Sequence, residues 1–192
     1  MKFPLHITLL AKKGGVGKST TSILLYEVLR QAGRKVVVKD WDAQGTSSKA
    51  LDLIQGPKPP ESTSKPDIII YDTPPNLDHT ATATAVRNAD LALVVATPAP
   101  ADIWEAEEAV RFVQGRNAKA KVRLIFNKVR KGTVLGRIVE ESAKQISVPY
   151  VPVMLSAREC YQHAIAQGWK ALDPAAREEA LQFALALLSL NE

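Results

Sequence analysis

Ala11-Lys12-Lys13-Gly14-Gly15-Val16-Gly17-Lys18-Ser19-Thr20 is the stretch that decides the fold. It follows a short apolar run at 6–11 and leads straight into 18–32, where Ile23, Leu24, Val28 and Leu29 recur at helical spacing and Gly33 supplies a stop. Glycines at 14, 15 and 17 let backbone N–H groups turn inward around anionic oxygens, at a helix N-terminus that already favours negative charge. The pattern G-x-x-x-x-G-K-[ST] wants glycine at position 12, where this chain has Lys12, yet the strand, loop and helix context is the one the pattern requires. Residues Lys13, Gly14, Gly15, Val16, Gly17, Lys18, Ser19 and Thr20 are therefore expected to cradle nucleotide phosphates. Lys18 is placed on the β and γ phosphates and the Ser19 hydroxyl on magnesium.

The extra lysine refines this. Lys13-Gly14-Gly15-Val16-Gly17-Lys18-Ser19 resembles the deviant Walker A box of the ParA and MinD superfamily, in which a signature lysine precedes the glycines. The resemblance implies that Lys13 crosses an ATP-bound homodimer to the partner subunit's phosphates. Asp40-Trp41-Asp42-Ala43-Gln44-Gly45-Thr46 is similar to the family's second box, commonly D-x-D-P-Q-G, with Ala43 in place of the usual proline. By that resemblance Asp40 lies near magnesium, and Asp42 positions or activates the attacking water. Ile68-Ile69-Ile70-Tyr71-Asp72-Thr73-Pro74-Pro75 has the look of a Walker B strand, so Asp72 is expected to hold a magnesium-bound water. Three softer matches follow. The segment 97–104 resembles the family's dimer face, where Asp102 serves either that face or as a helix N-cap. Asn127 stands where relatives contact the adenine base, and 153–168, with Arg158, resembles the region that closes over the base or contacts DNA.

Outward from these boxes, Val-, Ile- and Leu-rich runs alternate with helix-patterned stretches. The pattern predicts strands at 6–11, 35–40, 67–72, 91–96, 122–127 and 148–153, and helices at 18–32, 78–88, 101–116, 133–146, 157–167 and 174–190. That is a doubly wound α/β fold, a mostly parallel twisted sheet flanked by helices, with ligands outside the carboxyl ends of the strands. The 192 residues suit one domain spanning 1–192, with a Pro-rich surface loop at 55–66. No apolar run approaches about 20 residues and the start is too short for a signal peptide, so a cytoplasmic protein with no membrane partner is expected, and the resemblance implies that it is nucleoid-associated. One cysteine and three scattered histidines argue against a metal held by protein sulfur. The expected cofactors are ATP and Mg2+.

Charge is unevenly spread. The net charge is +5, yet 109–139 contains no Asp or Glu and nine Lys or Arg, so the rest of the chain is net acidic. A polyanion is the natural partner for such a segment. Arg116, Lys119, Lys121, Arg130, Lys131, Arg137 and, more distantly, Arg158 are the candidate contacts to DNA, bound without sequence preference. The stretch before Lys13 is too short for a helix-turn-helix, so operator binding is not expected. The resemblance implies a partition cycle: an ATP dimer on DNA, released when a ParB-like adaptor bound to the cargo stimulates hydrolysis. Rival readings are a MinD-like or protein-cargo positioning ATPase, and an ATP-dependent small-molecule synthetase of similar fold. The final stretch, with Glu178, Glu179 and Glu192 among Ala and Leu, reads as a core-packed helix and not a lipid-binding one.

Overall fold

The computed structural model describes residues 4–56, 65–144, 146 and 148–189. Five of the expected runs are strands: β1 (Leu5–Leu10), β2 (Val36–Asp40), β3 (Ile68–Asp72), β4 (Leu91–Ala96) and β5 (Lys121–Phe126). They pair in the order β2-β3-β1-β4-β5, every pair parallel. Parallel neighbours need crossovers, and the helical stretches supply them. These are α1 (Lys18–Gln31), α2 (Thr46–Gln55), α3 (Thr80–Asn88), α4 (Pro100–Arg116), α5 (Val134–Lys144), α6 (Glu159–Gln167) and α7 (Pro174–Ser189).

All residues of β3 and β4 are buried, as continuous apolar runs require when both faces of a sheet are covered. Successive side chains take opposite faces. Leu91, Leu93 and Val95 join a core with α1, α6 and α7, whereas Ala92, Val94 and Ala96 join a second core with α3, α4 and α5. The last helix belongs to the first core through Ala176, Ala180, Phe183, Ala184 and Leu187, as its composition suggested. Because α1 leaves β1 for one face while α3 and α4 leave their strands for the other, the loops part at the carboxyl end of the sheet. That parting is the crevice in which doubly wound folds hold ligands.

Two elements differ from the sequence expectation. The run 148–153 is extended but makes only an isolated bridge, Leu124 to Tyr150, with a further one from Val129 to Ser156. Pro149 and Pro152 interrupt it, and a residue without an N–H cannot continue a ladder. Conversely, the pattern gave no sign of α2, whose buried positions are only Ser47 and Ala50, too small to write an apolar stripe. The expected loop lies mostly at 57–64, outside the described residues. Among the described residues no helix is long and apolar enough to cross a membrane.

Candidate functional site

The loop after β1 presents its glycines to solvent and ends at Gly17, the N-cap of α1, which has φ 99° and offers no side-chain cap. The first-turn N–H groups of α1 are left open to an anion, with no acidic residue in that turn to compete. Lys18 is buried behind them. Its burial holds the ammonium below the usual lysine range, opposed by the charges of Asp72 and Asp42. A desolvated cation beside open N–H groups is a strong receptor for phosphate.

Sheet register delivers the carboxylates. Asp40 and Asp72 are cross-strand partners at the ends of β2 and β3, and Asp72 also pairs with Leu9 just before the loop. Asp72 is 1% exposed; its Oδ2 accepts the Ser47 hydroxyl, while its Oδ1 finds no hydrogen-bond partner among the described residues. Burial pushes the Asp72 carboxyl above the usual range, opposed by the hydroxyls of Ser47 and Ser19 and by Lys18, and reinforced by the Asp40 charge. A buried oxygen without a partner, near a half-buried serine hydroxyl, fits a hard divalent cation whose remaining ligands are water and phosphate. Among the described residues no group of three or more His, Cys, Asp or Glu could hold a metal by itself. Asp40 is committed elsewhere: Oδ1 accepts the N–H of Asp42 at 3.0 Å and Oδ2 that of Ser48 at 2.9 Å, which ties the turn to the start of α2. Asp42 is half-buried, close enough for its charge to act on Lys18, and its Oδ1 caps the turn through the Gln44 N–H at 3.0 Å.

Lys13 goes the other way. Its Nζ lies 3.2 Å from Asp102 Oδ1 and 3.8 Å from Glu105 Oε2, on α4. Lys12 similarly meets Glu108 at 2.7 Å, and Trp104, 69% exposed, stands on the same helix. Asp102 is not an N-cap. That position belongs to Ala99, with Pro100 at the first turn, and Asp102 Oδ2 instead accepts the Thr97 hydroxyl at 2.5 Å.

Beyond the loop is a cavity of about 600 Å³, bounded by Thr20, Asn127, Arg130, Leu135, Arg158 and Tyr161 among others. Asn127, which the resemblance places against a base, is among the residues lining this cavity. Its carboxamide is turned to the loop, donating to Val16 O at 3.1 Å and Gly17 O at 3.4 Å and accepting the Lys128 N–H at 2.8 Å. Lys128 donates from Nζ to Gly15 O at 2.6 Å.

The far wall of the cavity hangs on a residue the sequence reading missed. Glu179 of α7 accepts from Ser156 N at 2.7 Å, Ser156 Oγ at 2.6 Å and Tyr161 OH at 2.8 Å, with Arg158 and Lys131 at 3.6 and 3.7 Å. Burial alone would raise the Glu179 carboxyl, but the Ser156 and Tyr161 bonds and the Arg158 charge bring it below the usual range. The signal was legible: an acidic residue between Ala176, Ala180 and Phe183 on the buried face of an apolar helix demands partners.

The basic segment does not form one face. Arg116, Lys119 and Lys121 lie at the start of β5, whereas Arg130, Lys131 and Arg137 follow its end; six residues at about 3.3 Å each put roughly 20 Å between the groups. Arg116 stacks on Phe112 at 3.7 Å, and Arg158 and Lys131 share Glu179, so these cations are partly committed within the chain. Arg130 stands on the rim of the cavity itself.

Comparison with known proteins agrees with this geometry. The profile of the CobQ/CobB/MinD/ParA nucleotide binding domain matches residues 7–169. The chain is similar to the maintenance of carboxysome distribution protein A of Gloeobacter kilaueensis, 29% identical over 86% of this chain and 83% of that one. It is 24% identical to the protein of the same description from Halothiobacillus neapolitanus, over 81% of each chain. A plasmid partition protein from Borrelia burgdorferi shares the fold, with TM-score 0.73 and 19% identity over 98% of this chain and 100% of that one.

Proposed function

Because this chain belongs to the CobQ/CobB/MinD/ParA nucleotide-binding family and is an ATPase of that fold, we propose that it works as an ATP-timed positioning switch. The observation that carries this reading is the contrast between Lys18, buried behind the loop, and Lys13, exposed and paired outward with Asp102 and Glu105 of α4. A lysine placed so can exchange its carboxylate partners for the phosphates of a second subunit. In this reading the chain forms a homodimer with ATP and magnesium, Ser19 and Asp72 hold the metal, and Asp42 orients the attacking water. Asp40 acts from behind, by fixing the turn that carries Asp42. Removing the γ phosphate ends the dimer, so hydrolysis is a timer for partner affinity.

The dimer binds DNA without sequence preference through Arg130, Lys131, Arg137 and Arg158 near the nucleotide, with Arg116, Lys119 and Lys121 a separate patch. An adaptor carried by the cargo stimulates hydrolysis. The cargo we favour is a protein assembly, supported by the two carboxysome distribution relatives that align over most of their length; a plasmid bound through a ParB-like adaptor is the other reading, supported by shared fold alone.

The test is light scattering and binding to nonspecific duplex DNA with ATP, ADP and no nucleotide, across salt concentrations. Expected are an ATP-specific dimer and salt-sensitive DNA binding by that dimer only, both lost in Lys13→Gln. A monomer that turns over ATP rapidly with no DNA or protein partner would sink the switch reading.

A further inference from the structure

We propose that Lys128, together with Asn127, is a positioning residue that holds the phosphate-binding loop in its anion-receiving form before nucleotide arrives, and so sets the affinity for the nucleotide's phosphates. The inference rests on the nucleotide reading above.

Two consecutive carbonyls of the loop, Gly15 and Val16, accept hydrogen bonds from two side chains at the end of β5; Asn127 also reaches Gly17 O at 3.4 Å, which the Thr21 hydroxyl and N–H already hold at 2.9 Å. A peptide unit is planar and trans, so the carbonyl of one residue and the N–H of the next point in opposite directions. Drawing the oxygens of 15 and 16 toward β5 therefore turns the N–H groups of Val16 and Gly17 away from it, toward the mouth of the loop, while the helix itself orients the Lys18 N–H through the bonds from Thr21 to Gly17 O. Without those donors the loop would be free to rotate its peptides, and phosphate would have to order it on arrival.

The chain bears a cost for this arrangement. Lys128 has φ 56° and is the one non-glycine residue with positive φ among the described residues. Lysine has no local side-chain bond to favour that conformation, as asparagine does, so its neighbours must impose it. They do: Asn127 Oδ1 accepts the Lys128 N–H, Val129 N donates to Leu155 O at 3.0 Å, and the ammonium is drawn 2.6 Å from Gly15 O. The left-handed turn redirects the side chain from the strand's course back to the loop. Close approach is built in on the other side too, because a side chain at Gly17 would meet the Asn127 carboxamide.

The experiment uses the full chain and its Lys128→Met and Lys128→Gly variants, titrated with fluorescent ADP in magnesium and assayed for ATP turnover. Both variants are expected to bind ADP about 10-fold or more weakly, the effect of losing a charge-assisted hydrogen bond, with KM raised and kcat at saturating ATP kept. Lys128→Gly should also melt at or above wild type, since it relieves the left-handed backbone; a merely structural lysine would not separate affinity from melting in this way. If Lys128→Met misfolds, Lys128→Gly carries the test alone. ADP affinity within twofold of wild type in Lys128→Gly overturns the proposal, since only backbone geometry would then matter. Wild-type protein that binds no ADP would instead overturn the nucleotide reading, a result seen before any variant is made.

Discussion

Gly17→Ala puts the loop's packing to a quantitative test. Gly17 has φ 99°, ψ 28°, where an L side chain is strained by about 1–2 kcal/mol. The added Cβ would also fall inside the envelope of Asn127 Nδ2 and lie 3.2 Å from Asn127 Cγ. Asn127 is 4% exposed and cannot swing into solvent, so its displaced Nδ2 must give up the bonds it donates to Val16 O and Gly17 O. At about 0.5–1.5 kcal/mol net per bond, two lost bonds add about 2 kcal/mol. The total is about 3–4 kcal/mol, and a chain of 192 residues loses roughly 2–4 °C of melting temperature per kcal/mol. Gly17→Ala should therefore melt about 6–16 °C below wild type without nucleotide.

Gly15→Ala is the internal control. Its φ is +79°, equally left-handed, but no atom lies within 4 Å of the added Cβ. It should show the strain alone, about 1–2 kcal/mol, and roughly half the fall in melting temperature or less. Differential scanning calorimetry of both apo variants decides the matter. Equal melting temperatures, within a degree, would refute the claim that Asn127 is packed against the loop at Gly17.

Three further outcomes follow from the charges in the site. Burial depresses the Lys18 pKa, so folding disfavours the ammonium and apo stability should rise as pH climbs from the folded pKa towards 10.5; Lys18→Met should flatten that rise in thermal melts while abolishing ADP binding. Asp72 is the opposite case, its raised pKa giving stability present below 3.8 and lost as pH rises through the folded value. Asp72→Asn should consequently raise the apo melting temperature at neutral pH and remove the magnesium-dependent part of the ADP-induced shift; a lower apo melting temperature would contradict a buried carboxylate whose desolvation outweighs its bonds. Asp42→Ala should keep ATP affinity and slow turnover by about 10²-fold or more, and normal turnover in a single-cycle assay would remove it from the reaction.

The legible parts of this chain are those whose physics is local. A glycine-rich turn between an apolar run and a helix start reads as a phosphate loop from its own residues, and Asp40 and Asp72 stand at the ends of β2 and β3 with Asp42 two residues beyond. What was illegible is pairing at a distance. Nothing near Lys128 in sequence says that it reaches Gly15, 113 positions away, and nothing near Asn127 distinguishes a base contact from a loop brace. The basic run at 109–139 is divided for a related reason: contiguity in sequence is not contiguity in space when a buried strand runs through the middle of the segment. Small residues concealed α2, and two prolines undid a strand whose apolar pattern was otherwise sound.

The two lysines of the loop region also differ in how firmly they are held, and the difference bears on the switch. Lys18 is buried, and the loop around it is tied by side-chain bonds from Asn127 and Lys128, which on the proposal above sets it before any ligand arrives. Lys13 is held by ion pairs in which the lysine side chain is 47% exposed and the Asp102 and Glu105 side chains 13% and 27%. Fully exposed pairs are worth about 0–1 kcal/mol and are weakened by salt; the partly buried carboxylates put these pairs above that range. A phosphate group carrying more than one charge, presented in a desolvated interface, would outbid Asp102 and Glu105 for the ammonium. Exchange at Lys13 therefore costs less than rearrangement at Lys18. A site built this way is stiff towards its own nucleotide and yielding towards a second subunit, which is the asymmetry an ATP-controlled dimer needs.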